Sequence, residues 1–266
     1  MLVNETVGQI DQKRNSGRSH VHELDLLRVV TAFGVVAVHT LAGTIIFARA
    51  QSAIILQHAA EGTMHFTREV FMFTTALILV YTYVGKRFNL GVFWRKRGIG
   101  VVIPYAIWSA IYLALAGLLV SPQRFVITWA TDLLTGDASY QLYYILLTIQ
   151  FYLLFPLVLW LLPLFDRYPW RTLIISAALQ LLILALNFYV IQRPPVADSA
   201  AGAWMIKYLA RLAPVYQFYF VLGAVCALRL DCLRELALRH GRLIALAFVG
   251  ALLLYWGNYA DRKSVV

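Results

Sequence analysis

Charge is scarce in this sequence. Only 14% of its 266 residues are Asp, Glu, Lys or Arg, against 61% hydrophobic. A soluble chain of this length cannot hide that much apolar surface in one core. Cysteine is scarcer still. Cys226 and Cys232 are the only two, which excludes a disulfide framework and a cysteine-based metal site. Polar and apolar residues do not alternate within the long apolar runs, so a membrane barrel is excluded. There is no low-complexity block and no convincing internal repeat, which argues against the inverted repeats common in transporters. No cleavable leader is expected. Residues 1–23 are polar and mildly basic, and the first apolar run is too long for a signal core.

What remains are uncharged apolar runs of helical length. Seven such runs read as membrane-spanning helices, at about 29–48, 66–84, 99–120, 142–165, 172–191, 208–228 and 243–259. The expectation is an all-α polytopic membrane bundle. A polar tail at 1–23 precedes a transmembrane domain at 24–260, and a short tail follows at 261–266.

Acidic residues are few, 13 against 23 basic ones, which gives a net charge of +10. The distribution of the excess points to the bilayer rather than to nucleic acid. With the N-terminus inside, fifteen of the 23 Lys and Arg fall on inner segments and eight on outer ones. That split favours a cytoplasmic N-terminus in an inner or plasma membrane, and seven spans leave the C-terminus outside. The inner segment 85–98, GKRFNLGVFWRKRG, mixes aromatic and basic residues as a headgroup-level stretch does. The outer connections are 49–65, with His58 and His65, then 121–141 and 192–207. The last two carry Gly, Pro, Asp and Ser and read as loops. Most aromatics sit near span ends, where an interfacial belt accounts for them. The outer cluster Tyr140, Tyr143 and Tyr144 is where a sugar-binding reading competes.

One titratable pair stands out in LDLLRVVTAFGVVAVHT. Arg28 and His39 are eleven residues apart. On a helix that is three turns plus roughly 20°, so both face one side, about 16 Å apart. Arg28 then sits at the inner mouth and His39 near mid-bilayer, about half of the ~30 Å hydrocarbon core. An imidazole at that depth faces a protein interior or a wet cavity. A neutral histidine bonded to a neighbouring helix meets that condition. So does a general base that deprotonates a hydroxyl, with a cation at the mouth to hold an anionic donor. Arg95, Lys96 and Arg97 lie on the Arg28 side and can add phosphate contacts.

Four segments, in order, resemble the membrane acyltransferase-3 family. ELDLLRVVTAFGVVAVHT is similar to the first span, whose signature is an Arg and a His separated by ten residues. FTREVFMFTTALILVYTY is similar to the second, with Arg68 at its outer end. RKRGIGVVIPYAIWSAIY is similar to the third, with the pair Pro104 and Tyr105. YQLYYILLTIQFYLLFPL is similar to the fourth. Gly100 stands where the family has a second arginine, and Gln141 where it has a histidine. Members have about ten spans against the seven expected here, which leaves two readings: a missing C-terminal part or a C-terminally shortened member.

The resemblance implies transfer of a short acyl group, acetyl or succinyl, from cytoplasmic acyl-CoA to a hydroxyl of a carbohydrate or bacterial surface polysaccharide. His39 is then the catalytic residue. Arg28, Lys96 and Arg97 bind the donor, which is a substrate rather than a resident cofactor. Arg68, Glu69, Tyr140, Gln141 and Tyr144 meet the acceptor. No metal is expected. The competing readings are a glycan export component and an inactive relative.

Overall fold

The computed structural model describes residues 22–44, 60, 62–63 and 66–264. Residues 1–21 of the expected tail, and His58 and His65, lie outside the described residues. Among those described, every regular element is helical. The α-helices are α1 (His22–Thr44), α2 (Thr67–Tyr83), α3 (Leu90–Arg97), α4 (Ile103–Leu115), α5 (Pro122–Thr135), α6 (Tyr143–Arg167), α7 (Pro169–Leu186), α8 (Ala200–Tyr208), α9 (Gln217–Leu228) and α10 (Leu230–Ser264).

Five helical stretches are long and apolar enough to cross a bilayer: Glu23–Leu41, Leu90–Leu115, Tyr143–Arg167, Pro169–Ile191 and Leu230–Gly257. The pair Ala200–Arg211 and Ala213–Leu228, bent by 46°, makes a sixth if it is one span. α2 has 17 residues, the short end of the ~17–25 that suffice to cross. Counted together they agree with the seven runs read from the sequence.

Three connections differ from their sequence reading. Residues 85–98 do not lie apart as a surface stretch. The Asn89 side chain caps α3 by accepting from the Val92 amide at 3.0 Å, and a π-helical turn, Gly98–Val102, carries α3 into α4. The backbone stays hydrogen-bonded through both glycines, so the span starts at Leu90. The outer connection 121–141 is mostly α5. Tyr105 Oη donates to the Leu133 carbonyl at 3.1 Å and Trp129 Nε1 to the Ala106 carbonyl at 2.9 Å, fixing α5 on α4. The connection 192–207 contains most of α8, whose first turn is capped by Ser199 Oγ accepting from the Gly202 amide at 3.0 Å.

The core lies between α2, α6 and α9. Met72, Ala76 and Val80 of α2, Leu147 and Phe155 of α6, and Ala224 of α9 are fully buried. Phe151 and Phe220 stack at 4.3 Å between α6 and α9. Gly223 of α9 sits so close to α2 that an added Cβ would collide with the Phe73 carbonyl. Small residues let two backbones approach this way, and in lipid such dispersion contact drives helix association.

The break between α8 and α9 frees backbone groups inside the bundle, and glutamines take them up. Gln150 Nε2 donates to the Arg211 carbonyl at 2.8 Å, while its Oε1 accepts from the Ala213 amide at 3.0 Å. Gln180 Nε2 donates to the Val215 carbonyl at 2.6 Å. A broken span is tolerated only where its backbone is satisfied again within the protein.

A second polar junction ties the α5–α6 turn to α8. The turn begins at Gly136 with φ 73°, a left-handed conformation that favours glycine. Asp137 then accepts from Tyr208 Oη at 2.7 Å, Lys207 Nζ at 3.0 Å and Arg211 Nη1 at 2.6 Å. Burial pushes the Asp137 carboxyl up, but the three donors outweigh it and hold the group at about 2. A carboxylate depressed on folding stabilises the fold above its unfolded value, about 3.9, and the gain is lost as pH falls through the folded value. Asp137→Asn is expected to lower stability at pH 7 by about 1.5–3 kcal/mol. In detergent unfolding curves the gap between wild type and variant should close between about pH 4 and pH 2. A gap independent of pH across that window would contradict the junction's role.

Candidate active site

α1 runs unbroken from His22 to Thr44, so the eleven-residue spacing of Arg28 and His39 keeps them on one helix face. His39 stands in the C-terminal half of α1, beside Arg68 in the first turn of α2 and Tyr143 in the first turn of α6.

His39 borders a small cavity of about 30 Å³ with Val35, Val38, Thr67, Arg68, Tyr140, Tyr143 and Tyr144. Such a space admits one or two water-sized groups, the size of a hydroxyl tip. Tyr140 meets the imidazole edge-on at 5.6 Å and is itself 62% exposed, so the histidine lies just under the surface. Tyr140 and Tyr143 are 6.2 Å apart.

Arg68 Nη1 donates to Tyr143 Oη at 3.3 Å, which joins the starts of α2 and α6. Arg211 stacks on the Tyr143 ring at 5.7 Å, linking this corner to the Asp137 junction. Three polar atoms here are buried without a hydrogen-bond partner among the described residues: Arg68 Nε, Glu69 Oε2 and Tyr144 Oη. Buried orphans of this kind are uncommon in finished structures and mark places where a ligand or water completes the set. Glu69 faces a second, larger cleft beside Arg68.

At the opposite end, Arg97 lies over the Tyr152 ring at 4.7 Å and the Phe93 ring at 5.4 Å. Arg28 also acts electrostatically on Tyr152, so it lies at the same end of the bundle as Arg97. Arg97 Nε is another buried orphan. Arg28 is half exposed, with Asp25 at 3.5 Å. Lys96 and Arg95 are exposed on the same short helix. Along α6, Tyr144, Thr148 and Tyr152 recur at four-residue steps, which puts them in one row spanning about 12 Å. That row connects the Arg28–Arg97 end to the His39 cavity.

Among the residues singled out from the sequence, the structure therefore gathers His39, Arg68, Tyr140 and Tyr144 at one station, and Arg28 and Arg97 at another. Glu69 belongs to the neighbouring cleft. Gln141 faces away. Its Nε2 donates to Tyr112 Oη at 2.6 Å and its Oε1 accepts from Ser139 Oγ at 2.9 Å, so it anchors the turn on α4. The sequence reading passed over Tyr152, Thr67 and, as a site residue, Tyr143. The four-residue spacing of the α6 polar residues is a signal that would have found Tyr152. Thr67 and Tyr143 come from helix starts that only the tertiary fold brings to His39.

No curated protein and no solved structure matches the chain. Residues 21–260, nearly its whole length, match the acyltransferase-3 family model, described as an acyltransferase domain. A match of that extent, on a helical bundle whose spans suit a bilayer, places the chain in that family as a membrane acyltransferase.

Proposed function

We propose that the protein moves an acetyl or succinyl group from acyl-CoA to a hydroxyl of a carbohydrate, as in surface polysaccharide, across a bacterial inner membrane. The observation that carries this reading is the single helix α1, which presents a cation, Arg28, at one end and an imidazole, His39, at the other. The basic excess on the Arg28 side supports a cytoplasmic N-terminus, which puts Arg28, Lys96 and Arg97 where acyl-CoA is available.

The phosphates of the donor meet Arg28 and Arg97, with Lys96 at the rim. The pantetheine arm follows the α6 row of Tyr152, Thr148 and Tyr144 toward His39. The acceptor hydroxyl enters the His39 cavity beside Arg68 and Tyr140. His39 takes the hydroxyl proton as the oxygen attacks the thioester carbonyl carbon. The C–S bond then breaks, the ester is complete, and the leaving thiolate takes the proton back from the imidazolium. The Tyr144 hydroxyl, buried without a partner among the described residues, is a donor available to the carbonyl oxygen as it gains negative charge.

His39→Ala should lower the turnover number about 10²–10⁴-fold while melting temperature and acyl-CoA affinity stay unchanged. Turnover within a few-fold of wild type would rule out His39 as the base. Arg28→Gln and Arg97→Gln should each weaken acyl-CoA binding by about 1.5–3 kcal/mol, roughly ten- to a hundredfold, in titration calorimetry. Unchanged affinity in both variants would move the donor site elsewhere.

A further inference from the structure

Arg211 ends the 3₁₀ turn Leu209–Arg211, just before the extended Leu212 at which the chain bends by 46°. Its backbone and its side chain are held separately. The carbonyl accepts from Gln150 Nε2 of α6 at 2.8 Å. Nη1 of the guanidinium donates to the Thr135 carbonyl at 2.7 Å and to Asp137 Oδ1 at 2.6 Å. The planar cation fixed in this way lies against two rings, Tyr208 at 5.1 Å and Tyr143 at 5.7 Å. Neutralising Asp137 does not by itself call for Arg211. Lys207 Nζ meets the same carboxylate at 3.0 Å, and Tyr208 Oη donates to it at 2.7 Å. What a lysine cannot supply is a rigid plane with donors in fixed directions. Of the three donors, it is Arg211 that also reaches the Tyr143 ring.

Tyr143 carries that contact inward. Its Oη accepts from Arg68 Nη1 at 3.3 Å, and both residues line the His39 cavity. The same ring is 6.2 Å from Tyr140, which meets the imidazole edge-on. A hydrogen bond of 3.3 Å lies just beyond the usual range, so small motions of the phenol decide whether it is made. A guanidinium stacked on the ring limits those motions.

We infer that Arg211 is a positioning residue for acyl transfer: anchored by Asp137 and the Thr135 carbonyl, it sets the Tyr143 ring, and the Tyr143 hydroxyl in turn sets Arg68 at the wall of the His39 cavity. This rests on the acyl-transfer reading above and adds two residues to it, Arg211 and Tyr143. Tyr143 lines the cavity and Arg211 stacks on Tyr143, so the effect of Arg211 is exerted through that ring. The bend between α8 and α9 brings Arg211 to the start of α6, which ties the broken span to the geometry of the reaction.

The test uses the full-length protein in lipid nanodiscs, with acetyl-CoA as donor and methyl β-D-glucoside as probe acceptor. Arg211→Lys keeps a cation for Asp137 and loses the plane. It should lower kcat/KM for the glucoside about ten- to a hundredfold, the scale of a misplacement near 1 Å, with acetyl-CoA affinity unchanged. Tyr143→Phe keeps the ring and removes the oxygen that accepts from Arg68. It should lower kcat/KM by about as much, and the double variant by no more than either change alone. Lys207→Ala loosens the same junction without touching Tyr143, and should leave kcat/KM unchanged. If Arg211→Lys does not fold, Arg211→Gln, which keeps N–H donors for Thr135 and Asp137, takes its place. Losses that add in the double variant, or a loss in Lys207→Ala equal to that in Arg211→Lys, would make the role structural and overturn the inference. The same variants are compared on a readout that needs no turnover, the rate at which diethyl pyrocarbonate modifies His39. Both single variants and the double variant should react roughly fivefold faster, as when one ordinary hydrogen bond no longer restrains the cavity wall; an unchanged rate would also overturn the inference. That pattern without acetyl transfer in the wild type would count against the acyl-transfer reading and leave the hold of Arg211 on the cavity wall standing.

Discussion

The starts of α2 and α6 are held together by one half-buried guanidinium. Arg68 donates to Tyr143 at 3.3 Å, and it stands between the His39 cavity and the α2–α9 cleft. A charge whose Nε is buried has to find partners inside the protein. It draws a corner of the molecule around itself: Tyr143 and its stacked Arg211, the Glu69 carboxylate, and the tyrosines 144 and 216, which feel its field or that of Glu69. The imidazole of His39 is placed by packing against this corner more than by any bond of its own.

The same rule governs the rest of the bundle. Where the backbone is continuous, as in α1, helix formation satisfies it and the side chains are free to present chemistry. Where it breaks, at the α8–α9 bend, Gln150 and Gln180 supply the missing bonds. Six side-chain atoms are left buried without partners among the described residues: those of Arg68, Glu69, Arg97 and Tyr144 lie at or beside the two stations on either side of the α6 row, and Ser109 Oγ and Gln180 Oε1 lie elsewhere in the bundle.

Much of this was legible in the sequence, and for a physical reason. Apolar run length reports span number directly, because the bilayer fixes how long a helix must be. Helical periodicity reports that Arg28 and His39 share a face, because both lie on one element. What was not legible depends on contacts between elements distant in sequence. Gln141 looked like an acceptor ligand until Tyr112 of α4, 29 residues earlier, took its amide. The α5 helix was hidden by polar and glycine residues that read as loop, although Tyr105 and Trp129 pin it to α4. The cleft that takes in Glu69 needs α2 and α9, about 150 residues apart, in contact across Gly223.

The central claim is that one transfer path runs from the Arg28–Arg97 end to His39 along α6. The most direct measurement is a cryo-electron microscopy structure of the full chain in a nanodisc with a non-hydrolysable acetyl-CoA analogue. The account predicts the phosphates against Arg28 and Arg97, the pantetheine arm beside Tyr152 and Thr148, and the acyl carbon next to the His39 cavity, where a hydroxyl oxygen held by the imidazole can approach to ~3–3.5 Å. An analogue bound from the Asp137 end, or one whose acyl carbon lies away from His39, would contradict it.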